Sequence, residues 1–271
     1  MGILYFVATP IGNLKDVSER AKEVLKEVDL ILCEDTRTSL TFLNSIDVKK
    51  PLESFHKFNY KQASPKVIEK LKNGENIALI TDAGTPCISD PGQELIESLK
   101  ENEIKYTIIP GACAFVNAFA LSGFNTPLTF IGFLPNTKKE CKKLLEEVRD
   151  YHSTLIFYSA PHKLQEDVKM LYNYLGDRKV CYVRELTKKF EEIEFSSLKD
   201  GYEKQPKGEY VIVVDKNKEQ FDDFENMTVL EHYNYYLQLG YSKNDAIKQV
   251  AKDKKVAKSE IYKQVVNNLN A

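Results

Sequence analysis

The sequence predicts an α/β protein of two successive domains with a small helical appendage at its C-terminal end. Three observations predict it. Short apolar, β-branched runs recur through most of the chain, amphipathic helical stretches lie between most of them, and beyond residue 215 the apolar period is purely helical.

The strand-like runs fall at residues 3–8, 29–34, 77–81, 106–109, 129–134, 154–159, 180–185 and 210–215, each bounded by turn residues. Helical stretches at 17–28, 65–72, 92–101, 138–149 and 164–175 alternate with them, a pattern that argues for parallel sheets. Asp16, followed three residues on by Glu19, gives the first helix a capping signature. The pattern loosens after Phe124, at Asn125-Thr126-Pro127, and then restarts. The economical division is therefore 1–118 and 119–217, joined near 115–125, with a helical appendage over 218–271. Residues 217–226 are charged and linker-like, and helices are expected at 228–239, 242–253 and 258–269 around a short turn at 254–257. Ser242 with Asp245 resembles a capping box, and the last two helices have helix-turn-helix proportions. Lys243, Lys248, Lys252, Lys254, Lys255, Lys258 and Lys263 give this tail a modest basic excess. That excess leaves open both a nucleic-acid contact and a merely solvated stabilising appendage.

Of the 271 residues, 42% are apolar and 29% charged, which describes a soluble globular protein. A formal net charge of −2 excludes binding of nucleic acid by overall polycation character, so an anionic partner must be met by a local patch. The five cysteines are far apart, with no C-x-x-C pair, and the four histidines show no H-x-x-x-H spacing; neither a zinc site nor a disulfide framework is expected. No apolar stretch approaches a membrane span, and the N-terminus lacks a basic leader. A cytoplasmic protein that does not engage membranes is expected.

The chemistry should sit in loops that follow apolar strands. Asp82-Ala83-Gly84-Thr85-Pro86-Cys87-Ile88-Ser89-Asp90-Pro91-Gly92 combines two Gly, three Pro-fixed or capping positions and acidic side chains, with Asp90-Pro91 in the form of an N-cap and a first helical residue. Thr9-Pro10-Ile11-Gly12-Asn13 and Pro110-Gly111-Ala112-Cys113-Ala114 are built from similarly small residues. In a parallel sheet such loops share one edge and can converge on a crevice, and small residues suit main-chain recognition of an adenosine-sized ligand. Neither G-x-G-x-x-G nor G-x-x-x-x-G-K-[ST] occurs. Glu34-Asp35-Thr36-Arg37 places two carboxylates and a guanidinium at a strand end, which reads as a helix cap with an ion pair or, because adjacent carboxylates are costly to bury, as part of a site. Arg184-Glu185-Leu186-Thr187-Lys188 makes a weaker case of the same kind. Lys138, Lys139, Lys142 and Lys143 crowd a helix start, against the helix dipole, which points to an external anion such as RNA phosphate, with a merely solvated lysine cluster as the alternative reading.

These blocks, with Thr9 to Leu14, Ser89-Asp90-Pro91-Gly92, Gly132-Phe133-Leu134-Pro135, Phe157-Tyr158 and Lys207-Gly208-Glu209, together resemble the tetrapyrrole methylase superfamily of S-adenosylmethionine-dependent methyltransferases, and most closely its ribosomal RNA branch. The resemblance implies two α/β domains of the tetrapyrrole methylase type with a helix-turn-helix-like appendage, S-adenosyl-L-methionine held between the halves, and a homodimer. It implies 2'-O-methylation of a cytidine ribose in small-subunit ribosomal RNA, with the RNA or the 30S subunit as partner. Carried over by motif, Pro10, Asp82, Ala83, Gly84, Cys113 and Ala114 would contact the cofactor from the first half, and Ser159, Leu186 and Gly208 from the second. For proton removal from the hydroxyl, Glu34 or Asp35 is expected to act, with Arg37 orienting the carboxylate or holding a phosphate and Lys188 as a further basic candidate. Methylation of a tetrapyrrole or another small acceptor, and a non-catalytic RNA-binding assembly factor, stay open as rivals. A nicotinamide-dependent reductase is the weakest of them.

Overall fold

The computed structural model describes residues 1–90, 92–216, 227–238 and 240–269. The expected linker at 217–226, Pro91 as a first helical residue, and Leu239 at the end of a tail helix lie outside the described residues.

One compact unit comprises Met1–Arg149 with Ser153–Asp215 and contains two five-stranded sheets. In the first sheet, β1 (Ile3–Val7), β2 (Leu30–Cys33), β3 (Leu52–Ser54), β4 (Ile77–Leu79) and β5 (Lys105–Ile109) run parallel in the order β3-β2-β4-β1-β5. Alternate side chains of these strands go to two cores. Leu4, Phe6, Leu30, Leu32, Ile77 and Leu79 pack with Val67 and Leu71 of α3 (Tyr60–Lys72) and Leu95 and Leu99 of α4 (Gln93–Glu101). On the opposite face, Val7, Ile31, Ala78 and Ile80 meet Ala21 and Leu25 of α1 (Glu19–Glu27) and Leu43 of α2 (Thr36–Ser45).

The second sheet corrects the expectation of parallel pairing throughout. β6 (Leu128–Phe133), β7 (Thr154–Ser159), β8 (Lys179–Arg184), β9 (Glu192–Ser197) and β10 (Tyr210–Val214) lie in the order β6-β7-β10-β8-β9, and only β6 and β7 are parallel. No helix intervenes between β8 and β9, so a short connection suffices only for an antiparallel partner. One face carries α6 (Lys138–Val148) and α7 (Leu164–Leu175), whose Leu145, Leu164, Val168 and Leu171 pack on Leu155, Phe157, Tyr182 and Ile212. The other face is closed by α5 (Ala114–Ser122), with Ala118 against Ile156, Val183, Val211 and Val213.

Helix α5 occupies most of the expected junction at 115–125, and the expected 118/119 boundary lies within it. Its run of Phe115, Val116, Ala118, Phe119, Ala120 and Leu121 is apolar nearly all round, so it carries little amphipathic signal. The strands β3 and β9 carry no strand signal in the sequence, the first because it is three residues with two exposed, the second because its apolar content is low. Two caps are corrected as well. Ser18, not Asp16, caps α1, its hydroxyl accepting from the Ala21 amide at 3.1 Å, while Asp16 lies in a 3-10 turn. The cap of α4 is Gly92, at φ 130°, not Asp90. Helix α3 begins at Tyr60, five residues before the expected Pro65, which sits inside it.

A second unit comprises Asp150–His152 with Lys216–Ala271. Its helices α8 (Val229–Gln238), α9 (Lys243–Asp253) and α10 (Lys258–Leu269) pack Tyr233, Tyr236, Ile247, Val250, Ile261 and Val265 into one core. The capping box at α9 forms as expected: Ser242 Oγ accepts from the Asp245 amide at 3.2 Å and donates to Asp245 Oδ2 at 2.7 Å.

Candidate active site

Because the first sheet is wholly parallel, the loops after β1, β2, β4 and β5 leave from one edge. The loop after β1 is stapled to the loop after β4: the Thr9 amide donates to the Gly84 carbonyl at 2.9 Å and the Gly84 amide to the Thr9 carbonyl at 3.1 Å. The Thr9 hydroxyl donates to the Thr81 carbonyl at 3.1 Å, and the Thr85 hydroxyl reaches the Ala112 carbonyl at 3.0 Å, tying in the loop after β5. Gly84 sits at φ 87°, and a Cβ there would lie 3.3 Å from Ile11 Cγ2, so the small residue is required by both backbone and space.

Across from these loops stand the ends of β6, β7 and β8 and the start of β10. A bulge between Phe130 and Gly132 brings Gly132, at φ 80°, close to Ser89; a Cβ on it would meet Ser89 Oγ at 3.2 Å. Between the two sets of loops lies a crevice of about 350 Å³. Of the seven described non-glycine residues with left-handed φ, four lie in its two principal loops: Cys87 and Ser89, Glu185 and Thr187. Such conformations cost energy and collect where a site over-determines the backbone.

The crevice lining brings together Glu34, Asp82, Ala83, Gly84, Cys113, Ala114, Ser159, Leu186 and Lys188 from the residues expected by sequence. Pro10 lines an adjoining cavity of about 220 Å³ that shares Asp82, Ala83 and Lys188 with the first. Asp35, Arg37 and Gly208 line neither. Asp35 caps α2, accepting from the Arg37 amide at 2.8 Å, and its carboxylate pairs with the Arg37 guanidinium at 2.8 Å. That hydrogen bond from Arg37 holds the Asp35 carboxyl down at about 2. Gly208 instead supports a neighbour: at φ 73°, a Cβ on it would lie 2.4 Å from Glu185 Cδ. Ser159 turns its hydroxyl into the domain core, donating to the buried Asp167 carboxylate at 2.6 Å.

Residues outside the expected set complete the lining, among them Asp90, Tyr158, Glu185 and Glu209. All four lie in motif blocks already conspicuous in the sequence, one residue from a named candidate or, for Asp90, in the same loop. Lys188 Nζ bridges Glu185 Oε1 at 3.0 Å and Glu209 Oε2 at 2.8 Å, and the Glu209 amide donates to Glu185 Oε1 at 2.9 Å. Burial works against the Lys188 ammonium, but its hydrogen bonds to Glu209 and Glu185 outweigh this and hold its pKa above the ordinary lysine value. The Tyr158 hydroxyl accepts from the Phe115 amide at 3.3 Å, and burial pushes its pKa to about 12.

Three further carboxyls crowd one another. Burial raises Glu34, and the charge of Asp82 adds to it; burial likewise raises Asp82, with the Asp35 amide partly offsetting. Asp90 is moved furthest, to about 7, by burial and then by the charges of Glu34 and Asp82. A carboxyl poised near neutrality can accept a proton at working pH, and the group of acids makes the crevice attractive to a cation. Small residues at 83, 84 and 114 leave room for a flat ring against the main chain. This donor set fits a ligand with an adenosine body and positive charge beside it.

Residues 3–200 match the family of Tetrapyrrole (Corrin/Porphyrin) Methylases. The chain is 42% identical over 272 residues to the "Ribosomal RNA small subunit methyltransferase I" of Bacillus subtilis (strain 168), a match spanning 97% of this chain and 93% of that protein. It is also 42% identical over 270 residues to the protein of the same name from Halalkalibacterium halodurans, spanning 96% and 93%. Among solved structures, that of the methyltransferase CobJ superposes with a TM-score of 0.62 at 17% identity, covering 80% of this chain and 95% of that one; this is a likeness of fold.

Proposed function

Because the chain belongs to the tetrapyrrole methylase family, we propose that it transfers a methyl group from S-adenosyl-L-methionine to small-subunit ribosomal RNA, at the ribose 2'-hydroxyl of a cytidine. The observation that carries the reading is the acidic crevice with its stapled loops of small residues, in a chain 42% identical to rRNA methyltransferases over nearly its whole length. S-adenosyl-L-methionine supplies a methyl carbon activated by a sulfonium. Asp82, Ala83, Gly84, Cys113 and Ala114 would hold it from the first half and Leu186 with the main chain at Ser159 from the second, while Pro10 shapes the adjoining cavity.

The protein's part is then positioning and proton management. Holding the hydroxyl oxygen in line with the methyl carbon removes the entropic barrier of bringing two reactants together. A base at the hydroxyl adds about 10²–10⁴-fold. Asp90 suits that role best, with Glu34 beside it as the alternative acceptor, because its carboxyl lies near neutrality. Lys188 is fixed between Glu185 and Glu209 where the two cavities meet, its charge taken up by the two carboxylates, and so serves to hold both in place at the crevice wall. Asp35 and Arg37 act as a pair at the start of α2, with the Arg37 guanidinium 90% exposed and available to a phosphate oxygen.

The same reading takes 1–118 and 119–217 as the two cofactor-binding domains and 218–271 as an appendage, in a cytoplasmic homodimer. In support of the dimer, edge strand β5 exposes Tyr106 and Ile108 and helix α5 exposes Val116 and Leu121. Among the described residues, no helix is long and apolar enough to cross a membrane. The test is transfer of labelled methyl from S-adenosylmethionine to small subunits from a strain lacking the gene, with mass mapping of the digested RNA. Label on a cytidine ribose is the expected result; binding of the cofactor with label only on a tetrapyrrole, or on no acceptor, refutes the assignment.

A further inference from the structure

Two phenylalanines that do not line the crevice, but stand in loops next to residues that do or are felt there, are placed where burial gives no reason for them. Phe58 is 85% exposed and Phe190 63% exposed, each in a loop beside the site. Phe58 follows β3, at the same edge of the parallel sheet as Glu34, and the charges of neighbouring His56 and Lys57 are felt at the Glu34 carboxyl. Phe190 lies two residues from Lys188, which lines both cavities.

Both loops are braced. The His56 amide donates to Asn59 Oδ1 at 2.9 Å, Asn59 Nδ2 donates to the Ser54 carbonyl at 2.8 Å, and the Phe58 amide donates to His56 Nδ1 at 3.2 Å. In the second loop the Thr187 amide donates to Glu191 Oε2 at 2.6 Å and the Glu191 amide to the Lys188 carbonyl at 3.1 Å. Each ring also carries a cation: Lys57 Nζ lies 5.0 Å from the Phe58 centroid and Lys189 Nζ 5.6 Å from that of Phe190. A rigidly presented aromatic face with an ammonium beside it matches a nucleotide, whose base stacks while its phosphate meets the charge. The arrangement also answers an electrostatic problem, since the acids within the crevice repel a polyanion in a chain of net charge −2.

We propose that Lys57-Phe58 and Lys189-Phe190 are two stacking posts, one from each half of the fold, that hold unpaired RNA nucleotides flanking the acceptor at the mouth of the crevice. The proposal rests on the reading of the chain as an RNA methyltransferase and adds the surface by which the strand is held.

The chain contains no tryptophan, so Phe58→Trp and Phe190→Trp each introduce a sole tryptophan at a post, whose emission can be excited selectively over that of the tyrosines. Titration with a short single-stranded RNA of mixed sequence should quench the emission of both, whereas S-adenosylhomocysteine alone should not. In steady state, Phe58→Ala and Phe190→Ala should each raise KM for small subunits about tenfold, with kcat and S-adenosylhomocysteine affinity little changed and recovery in Phe→Tyr. Unquenched emission with an unchanged KM overturns the proposal. So does a fall in assembly mass of the alanine variants by light scattering, which would make the rings a protein interface. A wild-type protein that binds S-adenosylhomocysteine but methylates no RNA defeats the functional assignment instead, and the quenching experiment still decides whether the rings touch RNA.

Discussion

Replacing Asp90 with Asn tests the assignment of the proton acceptor most directly, because the side chain keeps its shape and loses only its ability to ionise. Burial and the charges of Glu34 and Asp82 bring this carboxyl from an ordinary 3.8 to about 7. With that value, about one tenth of the free enzyme carries an ionised Asp90 at pH 6 and about nine tenths at pH 8, so kcat/KM should rise about tenfold across the interval and level off above it. A bound cation beside the carboxyl favours its ionised form, so the corresponding limb in kcat, which reports the loaded enzyme, should fall at lower pH than the limb in kcat/KM. Asp90→Asn should lose about 10²–10⁴-fold in single-turnover methyl transfer and flatten the limb. The stability of the protein should move the other way. The folded state holds a proton on Asp90 that the unfolded chain releases, so wild-type stability declines as pH rises between about 4 and about 7 and is level above. Asp90→Asn removes that loss and should melt higher than wild type at pH 8, with a smaller gain at pH 5 and none below about pH 4. Activity within about twofold of wild type, with the limb still present, would refute the role and return the assignment to Glu34.

Other perturbations examine the supports of the site. Ser159→Ala removes the hydroxyl that donates to buried Asp167, and should cost about 1–3 kcal/mol in denaturant unfolding. Gly208→Ala forces a left-handed φ on an L residue and a Cβ against Glu185; about 1–2 kcal/mol of strain should lower Tm by roughly 2–8 °C, and methyl transfer should fall as the Lys188 clamp shifts. Ser242→Ala opens the capping box of α9 and should cost about 1 kcal/mol, visible as faster amide exchange in the first turn of that helix.

The sequence was most readable where periodicity and loop chemistry agreed. The stapled loops after β1, β4 and β5 follow runs of β-branched residues and are rich in Gly and Pro, so both their location and their small-residue character were expected, and the tail helices were expected nearly to their ends. Helix α5 was hidden because burial on both sides removes the polar stripe that marks a helix. The antiparallel half of the second sheet was hidden because pairing direction is set by connection length and packing, which strand composition does not record. At the site itself the differences are matters of phase. In β7, Phe157 faces the helices α6 and α7, Tyr158 faces the crevice and Ser159 turns back toward Asp167, so motif matching locates the segment without saying which neighbour presents its side chain. The same holds for Glu185 beside Leu186 and Glu209 beside Gly208. Asp90 reads as a cap because it precedes a proline, and its raised pKa comes first from burial and then from the charges of Glu34, distant in sequence, and of Asp82 in the same loop.

The charge of this chain is nearly balanced as a sum and strongly segregated in place. Burial raises Glu34, Asp82 and Asp90 within the crevice, and neighbouring charge adds to it, Asp82 on Glu34, Asp35 on Asp82, and Glu34 with Asp82 on Asp90, an arrangement that costs stability and serves no packing purpose. The adjacent lysines are arranged differently: Lys188 is clamped by two carboxylates, while Lys57 and Lys189 lie over exposed rings. A reaction between a cationic donor and a polyanionic acceptor requires this division. Negative charge belongs where the sulfonium sits and where a proton is to be received, and positive charge where the RNA backbone enters. A tetrapyrrole acceptor carries its own carboxylates but no strand extending beyond the crevice, so it gives no account of braced, solvent-facing rings at 58 and 190. An extended chain of bases and phosphates accounts for both the acids within and the ring and ammonium pairs outside.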